Sequence, residues 1–134
     1  MPDVVTDTHS LIWYLEDDPR LGPVANQTFD ACDRGELVIH IPTICLVEIV
    51  YLQEKGCIPA DLKARLDTEL QAGTSGLVLA DLTAEVVEAL SHVPRAGVPD
   101  MPDRIIVATA SHLGLSLISR DRKILQTGVV DIVW

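Results

Sequence analysis

Basic residues are scarce in this 134-residue chain: 10 Lys and Arg stand against 20 Asp and Glu, for a formal charge of −10 and a pI near 4.6. That balance argues against a protein that coats nucleic acid by bulk electrostatics and against a polybasic membrane-surface protein. No apolar run approaches the ~18 residues that a transmembrane helix needs; the longest candidate, Ile44 to Leu52, carries Glu48 in its middle. Met1-Pro2-Asp3 has no basic stretch leading into an apolar region, so no signal peptide is expected. Cys32, Cys45 and Cys57 are odd in number and form no C-x-x-C pair, which argues against a disulfide framework or a structural zinc. His9, His40, His92 and His112 show no H-E-x-x-H spacing. A reduced, cytosolic protein is the expectation.

What the chain has is core-forming material. Hydrophobic residues make up 48% of it, and its length suits one ordinary domain. Val4 to Thr6 reads as a buried first strand ending at Asp7. His9 to Glu16 follows with Leu11, Ile12 and Leu15 at helix-face spacing, and Asp17-Asp18-Pro19 breaks it. Leu21 to Arg34 is predicted helical and closed by Gly35. Leu37 to Ile41 is a second strand, and Pro42-Thr43 opens a helix running through Leu52 to a stop at Gly56. Pro59 starts another helix, with Leu62, Leu66 and Leu70 on one face. Leu77 to Ala80 is a third strand, Thr83 to Val93 a helix, and Pro94 to Pro102 a loop. Asp103 to Leu113 is an apolar helix closed by Gly114. Ser116 to Ser119, Arg122 to Leu125 and Val129 to Val133 complete the pattern as strand, short helix and strand. Short strands alternating with helices predict an α/β fold with a parallel sheet covered on both faces.

In open α/β sheets the working site lies beyond the carboxyl ends of the strands. Asp7 and Asp121 follow two predicted strands, while Glu48 and Asp103 sit near the starts of two helices. Four carboxylates from separated segments could therefore converge on one pocket. Like charges brought close raise each other's pKa, and burial adds to the penalty. A divalent cation removes both problems. Clustered carboxylates suit Mg²⁺ or Mn²⁺, and such an ion supports phosphodiester hydrolysis. Each acid also has a simpler role. Asp7 and Asp121 are positioned to cap the helices that follow them. Asp100-Met101-Pro102-Asp103 resembles a capping box with Asp100 as its cap. Glu48, flanked by Leu46, Val47, Ile49 and Val50, interrupts what reads as a largely buried helix, where an unpaired Glu is rare.

These residues carry a family resemblance. The opening "VVTDTHSLIWYL", the segment "IPTICLVEIVYL" and the segment "PDMPDRIIVATASHLGLSLISRD" resemble, in order, the acid-bearing motifs of PIN-domain proteins, and specifically VapC-type toxin ribonucleases of toxin–antitoxin systems. The resemblance implies a three-layer α/β/α sandwich with a parallel sheet of about five strands, and residues 1–134 as a single nuclease domain. It implies a metal-dependent endoribonuclease in which Asp7, Glu48, Asp103 and Asp121 hold Mg²⁺ or Mn²⁺. A cognate antitoxin, an RNA substrate and a homodimer are its implied partners. Asp100 would be a nearby acid, Ser119 a hydroxyl positioning Asp121 or a water, and Thr8 a donor in the same pocket. Arg104, Arg120 and Arg122 are the phosphate-contact candidates, each of which could equally be a surface or salt-bridge residue. Leu11, Trp13 and Tyr14 serve either the core or a partner surface, as does the Tyr51-Leu52 helix. Two other readings stay open: a catalytically inactive PIN-like interaction module, and an aspartyl-nucleophile phosphatase, against which His9 stands where a D-x-D pair needs its second acid.

Overall fold

The computed structural model describes residues 2–134. In chain order the elements are β1 (Val4–Thr6), α1 (Thr8–Leu15), α2 (Pro23–Asp33), β2 (Ile39–Pro42), α3 (Thr43–Glu54) and α4 (Leu62–Ala72). They continue with β3 (Leu77–Ala80), α5 (Ala84–Leu90), α6 (Met101–Leu113), β4 (Ser116–Ile118), α7 (Arg122–Gln126) and β5 (Ile132–Val133). The five strands pair in the order β3-β2-β1-β4-β5, all parallel, with Val4 opposite both Ile39 and Ser116. Right-handed crossovers put the helices of the β1-to-β3 half on one face and those of the β3-to-β5 half on the other. The expected three-layer arrangement follows. β1, at the centre, is buried along its whole length, as a strand covered on both faces must be.

Boundaries shift where caps decide them. α2 begins at Pro23 rather than Leu21, because Pro occupies its first position after Gly22. α4 begins at Leu62 rather than Pro59. Thr83 caps α5 by accepting from the Val86 amide, so that helix covers only Ala84–Leu90. α6 starts two residues earlier than the hydrophobic pattern suggests. Asp100 accepts from the Asp103 amide and Pro102 sits in the first turn, as the capping box predicted. β2 is displaced to Ile39–Pro42, and β5 shrinks to Ile132–Val133.

The expectation of a buried α3 needs correction. Only Cys45 and Ile49 of that helix are buried, while Val47 is 50% and Tyr51 61% exposed. Hydropathy alone could not tell an apolar face that packs inward from one left open. By contrast Leu11 and Trp13 are core residues, and Tyr14 stacks on Phe29 with ring centroids 4.5 Å apart.

Gly76, at the entrance to β3, meets backbone more closely than any other described glycine. A Cβ there would lie 2.0 Å from the Leu37 carbonyl oxygen, while the Gly76 amide donates to Cys32 O and its carbonyl accepts from the Ile39 amide. The chain cannot retreat without breaking the start of the β2–β3 ladder. Gly76→Ala should destabilise the fold by about 1–3 kcal/mol, measured as a lower urea midpoint with an unchanged slope.

Candidate active site

The strand order reverses direction at β1: the first half of the chain winds outward to β3, and the second half returns to β4 on the opposite side. Such a switch point leaves a crevice at the carboxyl ends of the two strands. A cavity of about 410 Å³ opens there, and Asp7, Asp103 and Asp121 line it together with Ser10, Ser119, Trp13 and Arg120. Three of the four predicted acids therefore meet.

Each acid is fixed by local structure. Asp7 follows β1 directly, its amide donating to Ile118 O of the neighbouring strand. Its side chain caps α1, Oδ1 accepting from the Ser10 amide at 2.9 Å. Asp121 caps α7 in the same way, Oδ1 accepting from Lys123 N at 2.9 Å, and its own amide donates to the Ser119 hydroxyl at 3.1 Å. The simpler capping role is therefore real for both residues. It occupies one carboxylate oxygen and leaves Oδ2 without a capping duty. Asp103 enters from the opposite side in the first turn of α6.

Glu48 stands apart from this cavity. It lines an adjoining one of about 340 Å³ with Ile44, Val47, Tyr51, Leu52 and Met101, and the exposed His9 ring lies between the two. Thr8 donates from Oγ1 to Glu48 Oε1 at 2.5 Å, so this Glu has a partner, as its place among apolar residues predicts. Arg104 must be withdrawn as a phosphate contact. Its Nη2 donates to the carbonyls of Leu90 (3.1 Å) and Val93 (3.0 Å), binding the end of α5 to the start of α6. Arg122 does not line the acid-bearing cavity, whereas Arg120 does.

Reasoning from sequence missed Ser10, His9 and the inward side of Trp13. Ser10 and Trp13 follow Asp7 at intervals of three, which on a helix beginning at that cap puts all three on one side; that spacing was the available signal. Ser10 Oγ is buried and makes no hydrogen bond, an unusual condition for a buried hydroxyl. Cys45 lies below the acids, its thiol directed toward Thr6 O. Burial raises its pKa strongly, so it is no nucleophile.

The electrostatics are those of an uncompensated anionic pocket. Burial raises the Asp7 pKa above the usual carboxylate range, against the opposing pull of the Ser10 amide, Ser119 and His9. Asp103 is pushed up to about 7, first by burial and then by the negative charges of Asp100, Glu48, Asp7 and Asp121. Asp103 thus feels the other three acids of the predicted set. An oxygen-only donor set held under mutual repulsion fits a hard divalent cation. Among the described residues, however, no three of these side chains already form a ligand cage. Side-chain rotation would have to draw them together around an ion.

A raised carboxylate pKa makes the folded state prefer the protonated form. Its contribution to stability is therefore full below about pH 4, the ordinary value, and is lost progressively as pH rises to about 7. After allowance for solvent screening of this partly exposed group, Asp103→Asn should stabilise the metal-free protein by about 1 kcal/mol at pH 8. Urea denaturation in a chelator should show that gain shrinking toward pH 5.

Likeness to known proteins agrees with this geometry. The sequence profile of the PIN domain matches residues 4–130. The chain is 26% identical over 124 residues to ribonuclease VapC22 of Mycobacterium tuberculosis, covering 92% of this chain and 91% of that protein. Its backbone resembles VapBC2 from Rickettsia felis bound to a DNA fragment from their promoter (TM-score 0.72, 17% identity, 98% of this chain and 97% of that one). It also resembles a toxin–antitoxin complex from Klebsiella pneumoniae (TM-score 0.65, 23% identity, 98% and 96%). The identities to these two structures are low enough that they speak for the fold alone. The profile spans nearly the whole chain, from β1 to the residues just before β5, and by that measure the protein belongs to the PIN domain family.

Proposed function

We infer that the protein is a metal-dependent endoribonuclease, acting as the toxin of a toxin–antitoxin pair. The observation that carries this reading is the meeting of Asp7, Asp103 and Asp121 in one cavity at the switch point of a PIN-family sheet. The likeness to a protein named ribonuclease VapC22 supports the choice of RNA as substrate. The solved toxin–antitoxin assemblies of the same fold support an antitoxin partner.

Asp7, Asp103 and Asp121 would hold Mg²⁺ or Mn²⁺, with Glu48 joining them or orienting a water. When bound, the ion neutralises the pocket and supplies Lewis acidity for phosphodiester hydrolysis. The protein's own contribution is positional. Caps at α1 and α7 anchor Asp7 and Asp121 at the cavity through one carboxylate oxygen each. Thr8 holds Glu48 in the adjoining cavity by donating to its carboxylate. The buried hydroxyls of Ser10 and Ser119 offer polar partners to a water beside Asp7. Asp103 retains a proton up to about pH 7 and must release it as the cation arrives.

The exposed apolar side of α3, around Val47 and Tyr51, is one surface open to the protein partners, antitoxin and second copy. The Leu11–Trp13 face is already spent on the core.

Asp7→Asn keeps a capping side chain and should not lower the thermal midpoint, while Mg²⁺-dependent cleavage of RNA falls at least ~100-fold. Full activity in the purified variant would overturn the assignment. Calorimetric Mn²⁺ affinity should rise between pH 6 and 8, as Asp103 loses its proton, and level off above that. An affinity independent of pH over this range would contradict a role for Asp103 as a ligand.

A further inference from the structure

An acidic pocket repels the phosphates of its own substrate, so any unneutralised cation on its rim has unusual weight. The chain has ten Lys and Arg residues. Arg20, Arg34, Lys63 and Arg65 are held in ion pairs with carboxylates, and Arg104 is engaged with main-chain carbonyls. Of the other five, only Arg120 lines the acid-bearing cavity among the described residues.

Arg120 is also mounted in a particular way. Its guanidinium carbon lies 4.9 Å from the centroid of the Trp13 ring, and Arg20 lies at the same distance from that ring. The two cations differ in charge balance. Arg20 is matched by Asp18, donating from Nε at 3.1 Å and from Nη2 at 2.8 Å to its two carboxylate oxygens. Arg120 is exposed and has no carboxylate within ion-pairing distance among the described residues. Trp13 is itself a rigid support, only 6% exposed, with the edge of Trp134 against it at 6.0 Å. A guanidinium lying against an aromatic ring keeps its in-plane N–H groups directed outward, and that planar fork matches two phosphate oxygens.

We propose that Arg120, seated on Trp13, clamps a backbone phosphate of the RNA adjoining the one that is cleaved. Trp13 is a positioning residue, holding the fork at the rim of the acid cavity. The proposal rests on the ribonuclease reading above. Because the clamp grips a phosphate that does not react, it acts equally on bound substrate and transition state. It therefore belongs in KM rather than kcat.

The test uses the full chain with Mg²⁺ and a fluorescein-labelled, mixed-sequence single-stranded RNA of twelve nucleotides. Arg120→Gln should raise KM about tenfold or more and leave kcat within about twofold. It should also flatten the dependence of log(kcat/KM) on log[KCl] by about 0.7, the loss of one phosphate contact to single-stranded nucleic acid. Arg120→Lys, which keeps the charge but not the fork, should restore the salt slope and only part of the KM. Trp13→Leu should raise KM similarly, and combining it with Arg120→Gln should add little more. Wild-type KM and salt slope in Arg120→Gln would overturn the clamp while leaving the nuclease intact. A fall in kcat at constant KM would also overturn it, moving Arg120 into the chemical step. Failure of the wild-type protein to cleave any RNA would overturn the function reading and the clamp together.

Discussion

At β1 the parallel sheet reverses its winding, and a crossover helix cannot cover the carboxyl ends of two strands whose connections leave in opposite directions. The gap between the ends of β1 and β4 is therefore a requirement of the topology. Three of the four candidate acids are arranged around it. Asp7 follows the central strand, Ser119 to Asp121 follow its neighbour, and α6 returns antiparallel with Asp103 in its first turn. The central strand's burial on both faces makes this floor rigid, because neither β1 nor its flanking pairs can shift without opening the core.

Around that gap helix capping and the crowding of carboxylates pull in opposite directions. Asp7, Asp100 and Asp121 each cap a helix, a favourable local arrangement that satisfies otherwise orphaned amides. Asp103 sits there at a cost, its pKa raised first by burial and then by the nearby charges of these acids. Caps thus contribute the local stability that tolerates repulsion at the centre. Strain of this kind at a functional site, offset by the surrounding fold, is a common condition of natural proteins.

The order of strands and helices was legible from hydrophobic periodicity and punctuation, and so was the meeting of Asp7, Asp103 and Asp121, because each falls at a strand end or in the first turn of a helix. The capping box at Asp100 was legible in full. Other features depended on information that a linear pattern does not carry. α3 is apolar nearly throughout, and nothing in its composition says that Val47 and Tyr51 face outward while Cys45 and Ile49 face in. Arg104 looked like its neighbours Arg120 and Arg122 until the carbonyls at the end of α5 were found within its reach. Glu48 lies 40 positions from the hydroxyl that binds it. Long-range pairing decided each of these cases.

The chain contains two tryptophans, and both lie at this one location, edge to face, with a cationic side chain over Trp13. Trp134 is packed in turn so tightly on Gly22 that a methyl group there would lie 2.6 Å from its ring. The near-ultraviolet emission of the protein consequently arises almost entirely beside the acid cavity. Intrinsic fluorescence is thus a local reporter of occupancy at the rim, and it requires no label.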